Sequence, residues 1–187
     1  MKTLFLSLFL LIFLLSNKSY SQACSAGTTY QCDLSLADNL NGFQSADILP
    51  CIVKGQFTET VVPFKVFQTL TFNNTTDSIY QMKIESVGNL PCGLCWASSS
   101  ISNTFAKNQT GCLIIKGITN DVSGQYKLNV VLSFATNNSG SFNQQNKNLQ
   151  NVVNNTAQII LIVLGSDDTC PAINYTGASN VAAVSCP

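Results

Sequence analysis

Histidine and arginine are both missing from this sequence of 187 residues. Without imidazole, Ser-His-Asp and Cys-His catalysis, histidine-ligated zinc and imidazole acid–base chemistry are excluded. Charge is sparse: nine lysines, nine acids, 10% of the chain. If a leader carrying Lys2 and Lys18 is removed, seven lysines face nine acids, a net charge of about −2. No basic footprint for nucleic acid or cationic membrane-binding face follows from that balance. P-loop, Gly-rich dinucleotide turn and GxSxG patterns are absent too, so no cofactor is expected.

What is present begins with an export signal. Lys2 is a short positive region, and Leu4 to Leu15 is apolar except for Ser7. Ser19-Tyr20-Ser21 is a small-x-small cleavage signal, so residues 1–22 read as a signal peptide. The apolar run is too short for a spanning helix, which needs about 20 residues. A lipid anchor on Cys24 is the rival reading. Ser21 and Gln22 do not resemble a Leu-rich lipobox, and lipidation would leave an odd number of cysteines. Once the signal is removed, no membrane insertion is expected.

All eight cysteines follow the signal: Cys24, Cys32, Cys51, Cys92, Cys95, Cys112, Cys170 and Cys186. An even number in an exported chain points to disulfides formed in an oxidising compartment. Spacing hints at local pairs. Cys24 and Cys32 would close an N-terminal loop, Cys170 and Cys186 would staple the tail, and Cys95 and Cys112 bracket a polar loop. Cys92-Gly93-Leu94-Cys95 has the spacing of a thiol–disulfide exchanger. That design needs a following helix to lower the first thiol's pKa. Here Trp96 is followed by Ala-Ser-Ser-Ser-Ile-Ser-Asn, a poor helix, and no second CxxC exists to complete a zinc site. Structural disulfides are therefore expected.

Along the chain, 23–47 reads as an irregular, disulfide-tied lead-in. From Cys51 the pattern is β. Phe57 to Phe72 is rich in Thr, Val and Phe, with Pro63 marking an edge or bulge. Tyr80, Met82 and Ile84 alternate with Gln81, Lys83 and Glu85. Cys112 to Ile118 is a short apolar strand. Tyr126, Leu128, Val130, Leu132 and Phe134 form one face of a strand over Gly124 to Thr136. Ser98–Thr110 and the Asn/Gln/Ser tract Asn137–Asn148 read as exposed loops. Leu149, Val152 and Val153 have helical spacing. Ala157 to Leu164 is apolar on both faces, a buried strand. The expected core contains Tyr80, Met82, Ile84, Trp96, Tyr126, Leu128, Val130, Leu132 and Ile160. Sequons stand at Asn73, Asn74, Asn108, Asn137, Asn154 and Asn174; they are glycan acceptors only in a eukaryotic secretory pathway.

Residues 86–136 carry a family resemblance. Leu90-Pro91-Cys92-Gly93-Leu94, then Trp96, then Gly111-Cys112 and Gly124-Gln125-Tyr126-Lys127-Leu128 are similar to the "LPxGL", aromatic and "GxYxL" elements of an Ig-like (cadherin-like) module. Leu49-Pro50-Cys51 through Phe57 resembles the "LPxxxxGxxY" opening. The Cys-bearing version resembles exported proteins of Gram-negative bacteria that use type IX secretion, over about residues 50–140. The usual Gly-Thr-Pro turn reads Gly117-Ile118-Thr119 here. Those proteins generally end in a β-sorting domain, which the segment after Gly165 does not resemble. The resemblance implies an antiparallel Ig-like β-sandwich, and the short alternating strands agree with it. The expected division is a signal over 1–22, a lead-in over 23–47, a sandwich over 48–165 and a disulfide-tied tail over 166–187.

Chemistry without histidine would fall to carboxylates, a Ser/Lys pair or a metal on oxygen ligands. Glu59 and Glu85 are the two glutamates, and both sit on polar strand faces, a poor start for a glycosidase pair. Asn120-Asp121 and Asp167-Asp168 are the acidic candidates for calcium, without a DxDxDG-type loop. The expected function is an exported, non-catalytic binding or structural protein of the cell surface or extracellular space, with the periplasm as another destination. Its expected partner is a protein or glycan at that surface. The alternative is a small secreted carbohydrate-binding or carbohydrate-active protein, with Trp96, Phe105 or Phe142 as stacking platforms. Phe142 and Phe105 are each a lone aromatic in a polar loop, which either tucks back onto the sandwich, the favoured reading, or serves as a contact anchor. Phe105 lies in a segment that resembles "NxTF", where it would plug the core, so Phe142 is the preferred contact candidate and Phe105 the second.

Overall fold

Period-two alternation becomes sheet through most of the described residues. The computed structural model describes residues 23, 24, 32, 37, 40–43, 49–72, 75–137, 140–152, 158–165 and 168–170. In chain order the strands are β1 (Gly42–Phe43), β2 (Ile52–Val53), β3 (Phe57–Lys65), β4 (Thr69–Phe72), β5 (Thr75–Ser78), β6 (Gln81–Gly88), β7 (Leu94–Ser98), β8 (Thr104–Ala106), β9 (Thr110–Ile118), β10 (Gly124–Lys127), β11 (Asn129–Ala135), β12 (Gln144–Asn148) and β13 (Ile160–Leu164). One helical turn, α1 (Leu149–Val152), sits between the last two and buries Leu149. Val153, the third residue of the expected helix, lies outside the described residues.

The first sheet has the order β1-β3-β9-β7, all antiparallel. The second is built on one long strand that changes partners. Its upper half, β11, lies between β6 and β12, and β8 pairs with the far side of β6. Its lower half, β10, pairs with β13, which adds β2 in parallel. The switch falls at Leu128, whose N–H donates to the Ile159 carbonyl. One strand over Gly124 to Thr136 was expected; the structure breaks it because two successive partners share one side. The order β1-β3-β9-β7 facing β6-β11 and β10-β13 is the A-B-E-D against C-F-G arrangement of an immunoglobulin-type sandwich. The fold is an all-β, Ig-like antiparallel sandwich.

Both inner faces feed one apolar cluster. Val62 and Phe64 of β3, Leu113 and Ile115 of β9 and Trp96 of β7 meet Met82, Ile84, Tyr126, Val130, Leu132 and Phe134 from the opposite sheet. Each such side chain contributes roughly 1.5–3 kcal/mol by leaving water. Eight of the nine expected core residues are buried. Tyr80 is the exception. It precedes β6, is half-buried, and carries the Lys107 ammonium 5.1 Å above its ring. Ile160 is buried on the outer face of β13 with Ile162 and Leu164, a separate cluster.

Tyr126 adds a second mark of this sandwich. It is fully buried, and its hydroxyl donates to the Val122 carbonyl at 2.7 Å, four residues upstream on the approach to β10. That is the tyrosine corner found at the start of the F strand in such folds. Burial first, and the Asp121 carboxylate second, push the Tyr126 phenol above its ordinary value of 10.0. A phenol whose folded pKa is raised gives stability that is complete below the unfolded pKa and lost as pH rises through the folded one. Tyr126→Phe is expected to cost about 1–3 kcal/mol near neutral pH, since the Val122 carbonyl loses its donor. Thermal melts on either side of pH 10 should show the parent's alkaline loss of stability reduced in the variant.

Several loop expectations change. The Ser98–Thr110 stretch contains β8, and the Asn137–Asn148 tract contains β12. Both are edge strands too short or too polar to show a clear period. The lead-in supplies β1, so the sandwich reaches back at least to Gly42. Pro63 lies just past the described pairing of β1, where β3 has the free side that proline tolerates. Every described non-glycine residue with positive φ is an asparagine: Asn89, Asn103, Asn108 and Asn146. Asparagine enters the left-handed region more readily than other side chains, which accounts for part of its abundance.

The local cysteine pairs expected from spacing do not form. The bonds are Cys24–Cys95, Cys32–Cys112 and Cys51–Cys170, across 71, 80 and 119 residues. Cys92 is disulfide-bonded as well, and Cys186 lies outside the described residues. Cys95 and Cys112 project from the outer face of the first sheet, on adjacent strands. The lead-in is therefore pinned to that face at both Cys24 and Cys32. Ala23 bridges Trp96 in parallel, and the Cys24 N–H donates to the Trp96 carbonyl at 2.7 Å. This covers part of the free edge of β7, an edge otherwise open to pairing with other chains.

Candidate functional site

Three connections gather at one end of the sandwich. The β4–β5 hairpin joins β3 to β6, the turn 106–109 joins β8 to β9, and 136–143 joins β11 to β12. Lys65 pairs with Thr110 and Ala135 with Gln81, which places all three at the same level. They are tied together by backbone. Val66 N–H donates to the Gln109 carbonyl, Ile79 N–H to Gln68, Tyr80 N–H to Ala135 and Lys107 N–H to Tyr80. Asp77 and Lys107 are the charged residues of these segments. The rest of this end is uncharged and rich in Asn, Thr and Ser. Asn108 and Asn137 are exposed here; Asn73 and Asn74, between the hairpin strands, lie outside the described residues.

Phe142 belongs to this end and is half-buried. Side-chain bonds bridge the described residues of its loop. Asn143 Oδ1 accepts from the Thr136 N–H at 2.9 Å and Asn143 Nδ2 donates to Thr136 Oγ1 at 2.8 Å. Gln145 Nε2 donates to the Phe142 carbonyl at 2.9 Å. The loop can therefore hold an aromatic at the rim with little further ordering on contact. Phe142→Ala is expected to lower the melting temperature by no more than a few degrees, because a half-buried ring loses only part of the roughly 3–5 kcal/mol of a core phenylalanine. Differential scanning calorimetry checks it.

The second contact candidate, Phe105, is corrected. It is 1% exposed, pairs with Met82 across β6 and meets Phe64 edge-on at 4.8 Å. Its β8 strand turns the ring inward, so it is core. Trp96 is likewise 4% exposed between the sheets, next to the Cys24–Cys95 bond. It offers no open face for a sugar. Cys92 and Cys95 are not bonded to each other, so the CxxC is part of the disulfide frame. A lipid on Cys24 is incompatible with its bond to Cys95.

The carboxylate candidates also separate. Glu59 lies on the outer face of the first sheet opposite Lys116. Glu85 lies on the outer face of the second and pairs with Lys83 at 2.8 Å. They point to opposite sides of the molecule and cannot flank one bond. Asp121 and Asp168 each accept a backbone N–H, from Cys92 and Gly165, both at 2.7 Å. These carboxylates fasten turns. Asp167 lies outside the described residues. No cluster of three potential metal ligands occurs among the described residues.

Two exposed apolar features were missed. Phe57 and Ile118 are cross-strand partners at the far end, 66% and 48% exposed, with Val122 exposed in the adjoining loop. Ile101 is 82% exposed on the β7–β8 turn. That turn is held by Ser98 Oγ, which lies 2.8 Å from both the Ser100 carbonyl and Asn103 Oδ1 and has one proton to share between them. In sequence Ile101 is one apolar residue among serines, with no period to say whether it points in or out.

Thr60 shows the reverse problem. It faces the core, 1% exposed, and its hydroxyl has no partner. Thr60→Val keeps the shape and removes an unsatisfied group, so a gain of roughly 1 kcal/mol is expected in denaturant titration. The sequence matches no protein-family model and no curated protein.

Proposed function

We propose that this chain is an exported, non-catalytic binding or structural module of the cell surface or extracellular space. One observation carries the reading: both terminal segments are bonded to a β-sandwich by disulfides spanning 71 to 119 residues. Such a frame persists only where thiols are oxidised. The signal peptide read from residues 1–22 agrees with it. The strand order and the tyrosine corner support the proposed kinship with Ig-like, cadherin-like modules. No helix among the described residues is long and apolar enough to cross a membrane.

The contact surface is the sparsely charged loop end that carries Phe142, with a surface protein or glycan as partner. Loops held by a rigid sandwich are where such folds keep their function. A sugar site based on Trp96 is not retained, since that ring is enclosed. Fractionation of cells that express the chain natively tests the reading. The expected result is protein in the medium or on the surface, protease-accessible, its thiols blocked to alkylation without reductant. Recovery from the cell interior with free thiols would overturn it.

A further inference from the structure

We propose that Asn41 is a self-modifying site, converting through a cyclic imide with Gly42 to aspartate and isoaspartate. Of all the asparagines in the chain, Asn41 alone precedes glycine. Every other is followed by a residue whose Cβ hinders approach of its backbone nitrogen to the asparagine side chain.

The fold requires that glycine. Gly42 has φ +102°, in the region L side chains avoid, and a Cβ there would run into the Phe67 ring. Strand β1 is only Gly42–Phe43, an edge strand whose Phe43 ring packs 4.7 Å from that of Phe64. Close packing of β1 under Phe67 therefore places a backbone nitrogen without a neighbouring Cβ beside an exposed asparagine; its N–H faces Lys65 across the two-residue β1–β3 pairing, which must open for the nitrogen to attack.

The electrophile is also positioned. Asn41 Oδ1 accepts the Gln68 N–H at 3.3 Å. That donor polarises the amide carbonyl and stabilises the oxyanion that forms when nitrogen adds to it.

The step balances without a co-reactant other than water. The Gly42 nitrogen gives up its proton and forms a bond to Asn41 Cγ. The Cγ–Nδ2 bond breaks, and the nitrogen leaves as ammonia. Water then opens the imide. Cleavage at Cγ gives aspartate; cleavage at the main-chain carbonyl gives isoaspartate, with an extra methylene in the backbone. Nothing is oxidised or reduced. Either product adds a negative charge at the entry to β1. The aspartate product keeps an acceptor for the Gln68 N–H, whereas the isoaspartate product displaces it.

Intact, disulfide-bonded protein held at mildly alkaline pH is the material for the test. Peptide mapping, with isoaspartyl methylation as the second readout, follows each asparagine over time. The expected result is that the peptide containing Asn41 gains the mass of an amide-to-acid change before any other, and that part of it accepts a methyl group. Asn41→Gln should melt as the parent does and show no change at position 41. Equal or slower conversion of Asn41 than of the exposed Asn108 or Asn137 would overturn the proposal, as would aspartate without isoaspartate.

Discussion

Alanine at Gly93 or at Gly117 is expected to destabilise the protein by roughly 2–5 kcal/mol, through positive-φ strain and overpacking together. Both residues have positive φ, +86° and +136°. They face each other where β7 meets β9. A Cβ on Gly93 would strike the Ile118 carbonyl oxygen, and one on Gly117 the Gly93 carbonyl oxygen. Both obstacles are backbone, which cannot swing aside as a side chain does. At about 2–4 °C per kcal/mol for a chain of this size, the melting temperature should fall by about 10 °C. Two other glycines calibrate the result. Gly55 also has positive φ, +77°, but its Cβ would meet only the Asn120 side chain at 3.6 Å. Strain alone there costs about 1 kcal/mol. Gly88 is free of both penalties, and Gly88→Ala should be near neutral. Melts of the four variants should rank in that order. A Gly93→Ala protein as stable as Gly55→Ala would show that the two turns do not approach as closely as described.

Full reduction is expected to unfold the protein at physiological temperature. Closing a loop of about 100 residues contributes about 4.7 kcal/mol in the chain-entropy account. The three described bonds close loops of this order. The loops overlap, so their contributions do not simply add. Even so, losing two or three of them is comparable with the whole stability of a domain, about 5–15 kcal/mol. Circular dichroism with and without reductant should show loss of the β signal on reduction, whereas the oxidised protein stays folded. A double Cys24→Ala/Cys95→Ala variant should remain folded and melt well below the parent, having also lost the anchor beside the β7 edge. A reduced protein that keeps its native melt would mean the sandwich core suffices alone. Peptide mapping without reductant should recover the three long-range pairs.

Composition alone narrowed the compartment and the class of chemistry expected of the chain. A chain without histidine and with only 10% charged residues has few routes to catalysis, and an even number of cysteines after a signal-like leader points to an oxidising space. Alternation settled the strands with one buried face, because a side chain in a sheet has only two directions. That is why Met82, Ile84, Tyr126, Leu128, Val130 and Leu132 were legible. The glycines of the LPxGL and Gly117 turns were visible as a pattern, but their reason was not. It is a contact between two backbones 24 residues apart.

The tertiary structure decided whatever depends on distance through space. Cysteine spacing pointed to neighbours, and the structure joined residues 71 to 119 apart, since proximity in the folded chain and not spacing along it sets which thiols meet. Two lone aromatics in polar loops were told apart in sequence only by the "NxTF" resemblance around Phe105, which pointed that ring to the core. Phe105 went to the core because β8 pairs with β6, and Phe142 stayed at the rim because its loop only connects two strands. Glu59 and Glu85 could have formed a pair until the sheets set them on opposite faces. Local residue patterns fix which way a strand faces; only closure of the sandwich fixes which strands, thiols and loops become neighbours.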